Sequence, residues 1–191
     1  MRLGFLVSGR GSNLEAVLAA SMPNVEPVLV ISNRPGVRAL DIAVEHGVRT
    51  VVLARRDFAD ATERDRAIGT ALTDAGADLA LLAGYDQVLR SSYFAAYSGR
   101  TINIHPSLLP DHGGPGMVGL AVHASVLARG DAETGVTIHE VTADLDAGPV
   151  LAQARVPVLA SDDAETLAAR VLAEEHRLLV ATLAELAVAA R

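Results

Sequence analysis

Five short apolar runs, most followed by a helical pattern, leave this chain few folds to choose from. "RLGFLVS" (Arg2–Ser8), "VEPVLVIS" (Val25–Ser32), "RTVVLA" (Arg49–Ala54), "ADLALLAG" (Ala77–Gly84) and Thr101–His105 carry little polar alternation. A strand wetted on one face alternates apolar with polar residues, whereas a strand covered on both faces reads as a continuous apolar run. Helix-period segments lie between the runs: Asn13–Ser21, with Asn13 or Ser12 near its N-cap, Gly36–Gly47, Asp60–Gly76, and a short one around Ser91–Tyr97. Parallel strands need such crossovers. The expected class is therefore α/β, Rossmann-like, with a mostly parallel central sheet and helices on both faces.

The pattern changes after His105. "PDHGGPGMVG" (Pro110–Gly119) reads as a loop, Leu120–Ala128 as a helix, and "TGVTIHEV" and "PVLAQARVPV" as an antiparallel strand pair toward the C-terminus. Asp163–Ala190 closes the chain as a long helix. With no linker, low-complexity tract or internal repeat in 191 residues, the expectation is one domain spanning 1–191.

Composition removes whole classes of chemistry. All 16 basic side chains are Arg, so lysine Schiff bases, pyridoxal-phosphate anchoring and the P-loop lysine are excluded. The absence of Cys excludes thiol catalysis, disulfides and thiolate zinc sites. A net charge of -7 provides no field that attracts nucleic acid. The N-terminal apolar run is too short for a signal segment, and no span reaches membrane length, so a cytoplasmic protein without membrane or nucleic-acid partners is expected. His112, His123, His139 and His176 lack metal-ligand spacing, and no metal is expected. Arg55, Arg56, Arg64 and Arg66 read as a solvated helix face.

Three stretches are candidates for a site, each with a plain structural alternative. "SGRGSN" (Ser8–Asn13) joins the first strand to the first helix, where two glycines and helix N–H groups suit a phosphate. It fails the dinucleotide fingerprint because Leu14 stands at the third glycine position, and a tight capped turn explains it equally. In "TINIHPSLLP" (Thr101–Pro110), period two puts Asn103 and His105 on one strand face, and Pro106 restricts the His105 backbone to extended conformations. An amide and an imidazole there suit an oxyanion and proton transfer, or simply cap the sheet. "TADLDAGP" (Thr142–Pro149) is either ordinary turn chemistry or a loop that brings a carboxylate to a histidine.

Taken together, "FLVSGRGSNL", "ISN", "LLAGY", "NIHPSLLP", "GGPGMVG" followed by "VH", and "GVTIHEVTADLDAGPVLAQ" resemble the phosphoribosylglycinamide formyltransferase family, over about Arg2–Arg191. "NIHPSLLP" with the later L-D-x-G-P element is similar to formyltransferases at large; "SGRGSNL" is similar to the glycinamide ribonucleotide branch. The resemblance implies the formyltransferase fold and transfer of the formyl group of 10-formyltetrahydrofolate, as co-substrate, to the amine of N1-(5-phospho-D-ribosyl)glycinamide. By the same resemblance, Asn103, His105 and Asp146 match the catalytic trio, and Gly11, Ser12 and Asn13 match the holders of the substrate 5′-phosphate. Glu175 matches the residue contacting the glycinamide end. Asp86, Gln87, Val88 and Leu89, with Thr142, Ala143, Asp144 and Leu145, match the folate contacts. Where the family commonly has Met-Arg-Ile-Leu, this chain has Asp86–Leu89, and a basic residue near the start of the third helix has no counterpart around Ala61. The partners implied are the two small molecules, with a homodimer left open. The rivals are other folate-dependent formyltransferases, a formyltetrahydrofolate deformylase, and a non-catalytic phosphometabolite-binding module. The tRNA formyltransferase would require a further basic domain, and the deformylase a regulatory domain before the first strand.

Overall fold

The computed structural model describes residues 1–189. Among the described residues, seven strands and six α-helices follow one another: β1 (Arg2–Val7), α1 (Ser12–Ala19), β2 (Glu26–Ser32), α2 (Arg38–Glu45), β3 (Thr50–Val52), α3 (Ala61–Asp74), β4 (Leu79–Leu82), α4 (Ser91–Ala96), β5 (Arg100–His105), α5 (Leu120–Arg129), β6 (Glu133–Glu140), β7 (Val150–Pro157) and α6 (Ala164–Ala189). The strands are ordered β3-β2-β1-β4-β5-β6-β7 in one sheet. The expected α/β class is present, as are the seven expected strands and six expected helices, with Ala190 of the last helix outside the described residues; the ends of α2 and β3 draw in by a few residues, where Gly36, Gly47 and the Arg55–Asp57 3-10 turn take over.

Two compact units make up the chain: Met1–Ile102 with the C-terminal segment from Leu183, and Asn103–Thr182. In the first, β1 pairs in parallel with β2 and with β4, and β2 with β3. Their apolar runs are apolar because both faces are covered: Leu3, Phe5, Leu6, Leu29, Ile31 and Leu81 are fully buried, as are Ile68 and Leu72 on α3. Burying side chains of this size stabilises by roughly 1.5–3 kcal/mol each before entropy is charged against it.

In the second unit β6 and β7 pair antiparallel, as expected, with a register irregularity between Ile138 and His139. An extra residue in one strand of such a pair re-aims the neighbouring side chain. On α6, Leu167, Val171, Glu175 and Leu179 recur every four residues and are all buried, so a glutamate occupies one place in an otherwise apolar stripe.

Candidate active site

The Asn103–Thr182 unit gathers a polar cluster at the end of β5. Alternation along that strand works as expected, with Ile104 buried in the core and Asn103 and His105 on the other face. Nδ2 of Asn103 lies 3.1 Å from Nε2 of His139, and Nδ1 of His139 lies 2.9 Å from the Glu140 carbonyl. A carbonyl only accepts, so Nδ1 of His139 carries the hydrogen and its Nε2 lone pair takes the Asn103 amide N–H. Burial pushes the His139 ring below its ordinary pKa, outweighing the Glu140 carbonyl and Asp146, which favour its charge; His105 also disfavours it. His139 is thus a neutral acceptor that orients the amide.

Asp146 joins this cluster. Its carboxylate lies 4.0 Å from Nδ1 of His105 and 3.7 Å from Nε2 of His139. Asp146 was expected within hydrogen-bond range of a histidine. Instead its Oδ2 accepts the Gly114 N–H at 2.8 Å, and that bond holds the carboxylate at ion-pair distance from the ring. Asp146 also adopts a left-handed backbone, φ 53°. The glycine of the L-D-x-G-P element has a plain steric cause: a Cβ on Gly148 would sit 1.9 Å from the Glu140 carbonyl oxygen. That close approach lets Glu140 N–H reach the Pro149 carbonyl at 2.9 Å and close the loop on β6.

His105 is buried, and its Nε2 lies 2.9 Å from the main-chain carbonyl of His112. Neither His112 nor His139 was assigned a role from the sequence. A histidine inside the apolar run of β6, beside the carboxylate loop, was the available signal for His139. For His112 there was none, because its main-chain oxygen makes the contact.

The Met1–Ile102 unit contains the Ser8–Asn13 turn and the Asp86–Leu89 segment. Gly11, not Ser12 or Asn13, is the N-cap of α1; it is left-handed (φ 80°), and a Cβ there would lie 2.8 Å from Ala39 of α2. Only glycine fits both the conformation and the approach. No side chain caps α1, and a helix start carries N–H groups of the kind that suit an anion. Close by, Asp86 accepts from Ser8 Oγ (2.9 Å), Asn33 Nδ2 (2.7 Å), Gln87 Nε2 (3.1 Å) and Arg34. Burial raises its pKa, but hydrogen bonds from Gln87, Asn33 and Ser8 and the Arg34 charge outweigh that and hold it below the usual carboxylate range.

Arg64 corrects the expectation of a solvated arginine face. Arg55, Arg56 and Arg66 are exposed, but Arg64 is buried with Asp65, to whose Oδ1 it donates at 2.5 and 3.0 Å. It also donates to Gln87 Oε1 (3.1 Å) and the Val88 carbonyl (3.4 Å), while Asp65 accepts the Arg90 N–H at 2.9 Å. A neighbouring pair on α3 therefore braces the segment where this chain departs from the Met-Arg-Ile-Leu pattern. Within that segment Leu89 is buried and Val88 exposed.

Glu175 is buried on α6, and Thr142, Ala143, Asp144 and Leu145 form an exposed loop in which Thr142 Oγ1 donates to the Asp144 carbonyl. Among the described residues, no cluster of three or more His, Asp or Glu is arranged to hold a metal, and no helix is long and apolar enough to cross a membrane.

Residues 1–183 match the sequence model of a family described as formyl transferase. The chain is 37% identical over 179 residues to the phosphoribosylglycinamide formyltransferase of Escherichia coli (strain K12), covering 92% of this chain and 82% of that protein. It is 38% identical over 180 residues to the trifunctional purine biosynthetic protein adenosine-3 of Drosophila melanogaster, covering 92% of this chain but only 13% of the length of that relative. Its fold is similar to the crystal structure of glycinamide ribonucleotide transformylase 1 from Symbiobacterium toebii, with a TM-score of 0.92, 36% identity, and coverage of 99% of this chain and 88% of that one.

Proposed function

The chain belongs to the formyl transferase family, and from that premise we propose that it acts as a phosphoribosylglycinamide formyltransferase in de novo purine biosynthesis, with 1–191 serving as its catalytic domain. The observation that carries this reading is the convergence of an amide, an imidazole and a carboxylate from β5 and the Thr142–Pro149 loop. His105 Nδ1 lies 4.0 Å from Asp146, and Asn103 is fixed by His139 at 3.1 Å.

In this reading the amine of glycinamide ribonucleotide attacks the formyl carbon of 10-formyltetrahydrofolate. A C–N bond forms, and the former carbonyl oxygen becomes an oxyanion. Asn103 has two amide hydrogens and uses one on His139, so the second is available to that oxygen. His105, whose Nδ1 faces the Asp146 carboxylate at 4.0 Å, supplies the imidazole beside that oxygen. The intermediate collapses with cleavage of the formyl carbon's bond to N10; the attacking nitrogen loses a proton and N10 gains one. No covalent enzyme intermediate is required, in keeping with a chain that has neither Cys nor Lys. Gly11, Ser12 and Asn13 hold the 5′-phosphate at the turn from β1 to α1, Glu175 meets the glycinamide end, and Asp86–Leu89 and Thr142–Leu145 contact the folate.

The test is to incubate the protein with 10-formyltetrahydrofolate, with and without glycinamide ribonucleotide, and follow folate release. Release that depends on the acceptor is the expected result. Release without acceptor identifies a deformylase, and saturable binding without release identifies a binding module.

A further inference from the structure

We propose that His112 is a positioning residue for His105: its main-chain carbonyl selects the ring tautomer of His105, and its own ring, clamped between Ser125 and Asp131, holds that carbonyl in place. The proposal rests on the role given to His105 above.

The carbonyl is delivered by a tightly fastened turn. Beyond β5 the Ser107 Oγ donates to the Asp111 carbonyl at 2.6 Å, and the Asp111 N–H reaches the Leu108 carbonyl at 3.0 Å. Thr137 of β6 donates to the Ser107 carbonyl (2.7 Å) and accepts the Leu109 N–H (3.0 Å), while Gln153 of β7 donates to the Leu109 carbonyl (3.0 Å). The turn thus leads the chain back, and the His112 carbonyl meets Nε2 of His105 at 2.9 Å. Because a carbonyl cannot donate, Nε2 must carry the hydrogen, and the lone pair of the neutral ring falls on Nδ1. That is the nitrogen facing Asp146. The lone pair of the His105 ring therefore lies on the side of the carboxylate.

His112 itself has a left-handed backbone, φ 54°, which is uncommon for a residue with a side chain and persists where the surroundings over-determine it. Here the ring supplies that constraint. Its Nε2 lies 2.7 Å from Asp131 Oδ2 and its Nδ1 2.8 Å from Ser125 Oγ. Asp131 is held in turn by Arg129 Nε at 2.7 and 2.9 Å, and hydrogen bonds from Arg129 and then His112 keep its carboxyl below the usual range. A histidine with no reacting partner has both ring nitrogens engaged in this way, and what it presents to the site is its backbone.

The test reads the tautomer directly, by 15N NMR of His105 in the ligand-free protein at a pH where the ring is neutral. The native protein is expected to show a protonated Nε2 and an unprotonated Nδ1. In His112→Ala the two shifts converge as the tautomers mix, and kcat falls about tenfold while KM for both substrates stays within about twofold. Asp131→Ala, which leaves residue 112 unchanged, shows the same effects to a smaller degree and carries the test if His112→Ala does not fold. Asp131→Asn keeps an acceptor oxygen for the His112 ring and restores the native spectrum. Identical His105 shifts in native and alanine variants would overturn the proposal, as would converged shifts with kcat unchanged. A native protein with the expected tautomer that transfers no formyl group leaves the His112 contact intact and removes the functional reading instead.

Discussion

The Asn103 amide donates to Nε2 of His139 across 3.1 Å, and that one contact fixes which end of the amide faces the rest of the cluster. A free amide can turn over; one pinned by a neutral imidazole cannot present its oxygen where its N–H is needed. Replacing His139 with Ala is expected to lower kcat about tenfold by freeing the amide, and Asn103→Ala by about 10²–10³ by removing the donor. Steady-state kinetics on both single variants and the double variant check this. The double variant is expected to be no slower than Asn103→Ala alone, because His139 acts through Asn103.

Asp146→Asn is expected to lower kcat by about 10²–10⁴ while the protein stays folded. The Asn side-chain oxygen still accepts the Gly114 N–H that now binds Asp146 Oδ2, so the loop keeps its anchor and only the charge opposite His105 is lost. Circular dichroism and a melting curve close to native, alongside the kinetic loss, are the expected pair of results.

Arg64→Met is expected to destabilise the protein by about 3–5 kcal/mol, since it leaves Asp65 charged and buried without its partner. Urea unfolding gives the number. The double variant Arg64→Met, Asp65→Asn should recover part of the loss, because it removes the unpaired charge along with the pair.

His139 and His123 both sit below their ordinary pKa, in each case chiefly because burial disfavours the charged ring; His105 adds to the effect at both, whereas the Glu140 carbonyl and Asp146 oppose it at His139. Nδ1 of His123 meets no hydrogen-bond partner among the described residues. A histidine depressed in the folded state binds its proton more readily in the unfolded chain. Stability is therefore full above the unfolded histidine value near 6.5 and declines as pH falls from there toward the folded values. Urea midpoints measured across about pH 5–8 should fall on the acid side, and His123→Gln should flatten the decline.

Gly148→Ala is expected to cost about 1–3 kcal/mol, because the new methyl would overlap the Glu140 carbonyl oxygen and force the loop carrying Asp146 off β6. The same variant should lose activity in excess of its stability loss, which a comparison of kcat with urea midpoints would reveal.

What could be read along the chain was what is written in local period and local sterics. Continuous apolar runs reported strands covered on both faces; period two put Asn103 and His105 on one side of β5; Gly11 of "SGRGSN" stands where backbones approach too closely for a Cβ. The arginine face failed for the same reason that the others succeeded. Charge spacing on α3 is local, but whether Arg64 meets solvent or Asp65, Gln87 and Val88 depends on what packs over it.

The sequence by itself determined the class of fold and placed Asn103 and His105 on one strand face, because each is carried by residues within a strand or turn of one another; Asp146 was tied to them only by the family resemblance. Only the tertiary structure decided that His139 orients Asn103 from 36 positions away, that Gly114 holds Asp146 short of a hydrogen bond with His105, and that a main-chain carbonyl of His112 sets the ring. Those contacts follow from β6–β7 register, its irregularity between Ile138 and His139, and a left-handed residue at 112. Register and backbone handedness in a loop are settled by packing between distant segments, and no local periodicity encodes them.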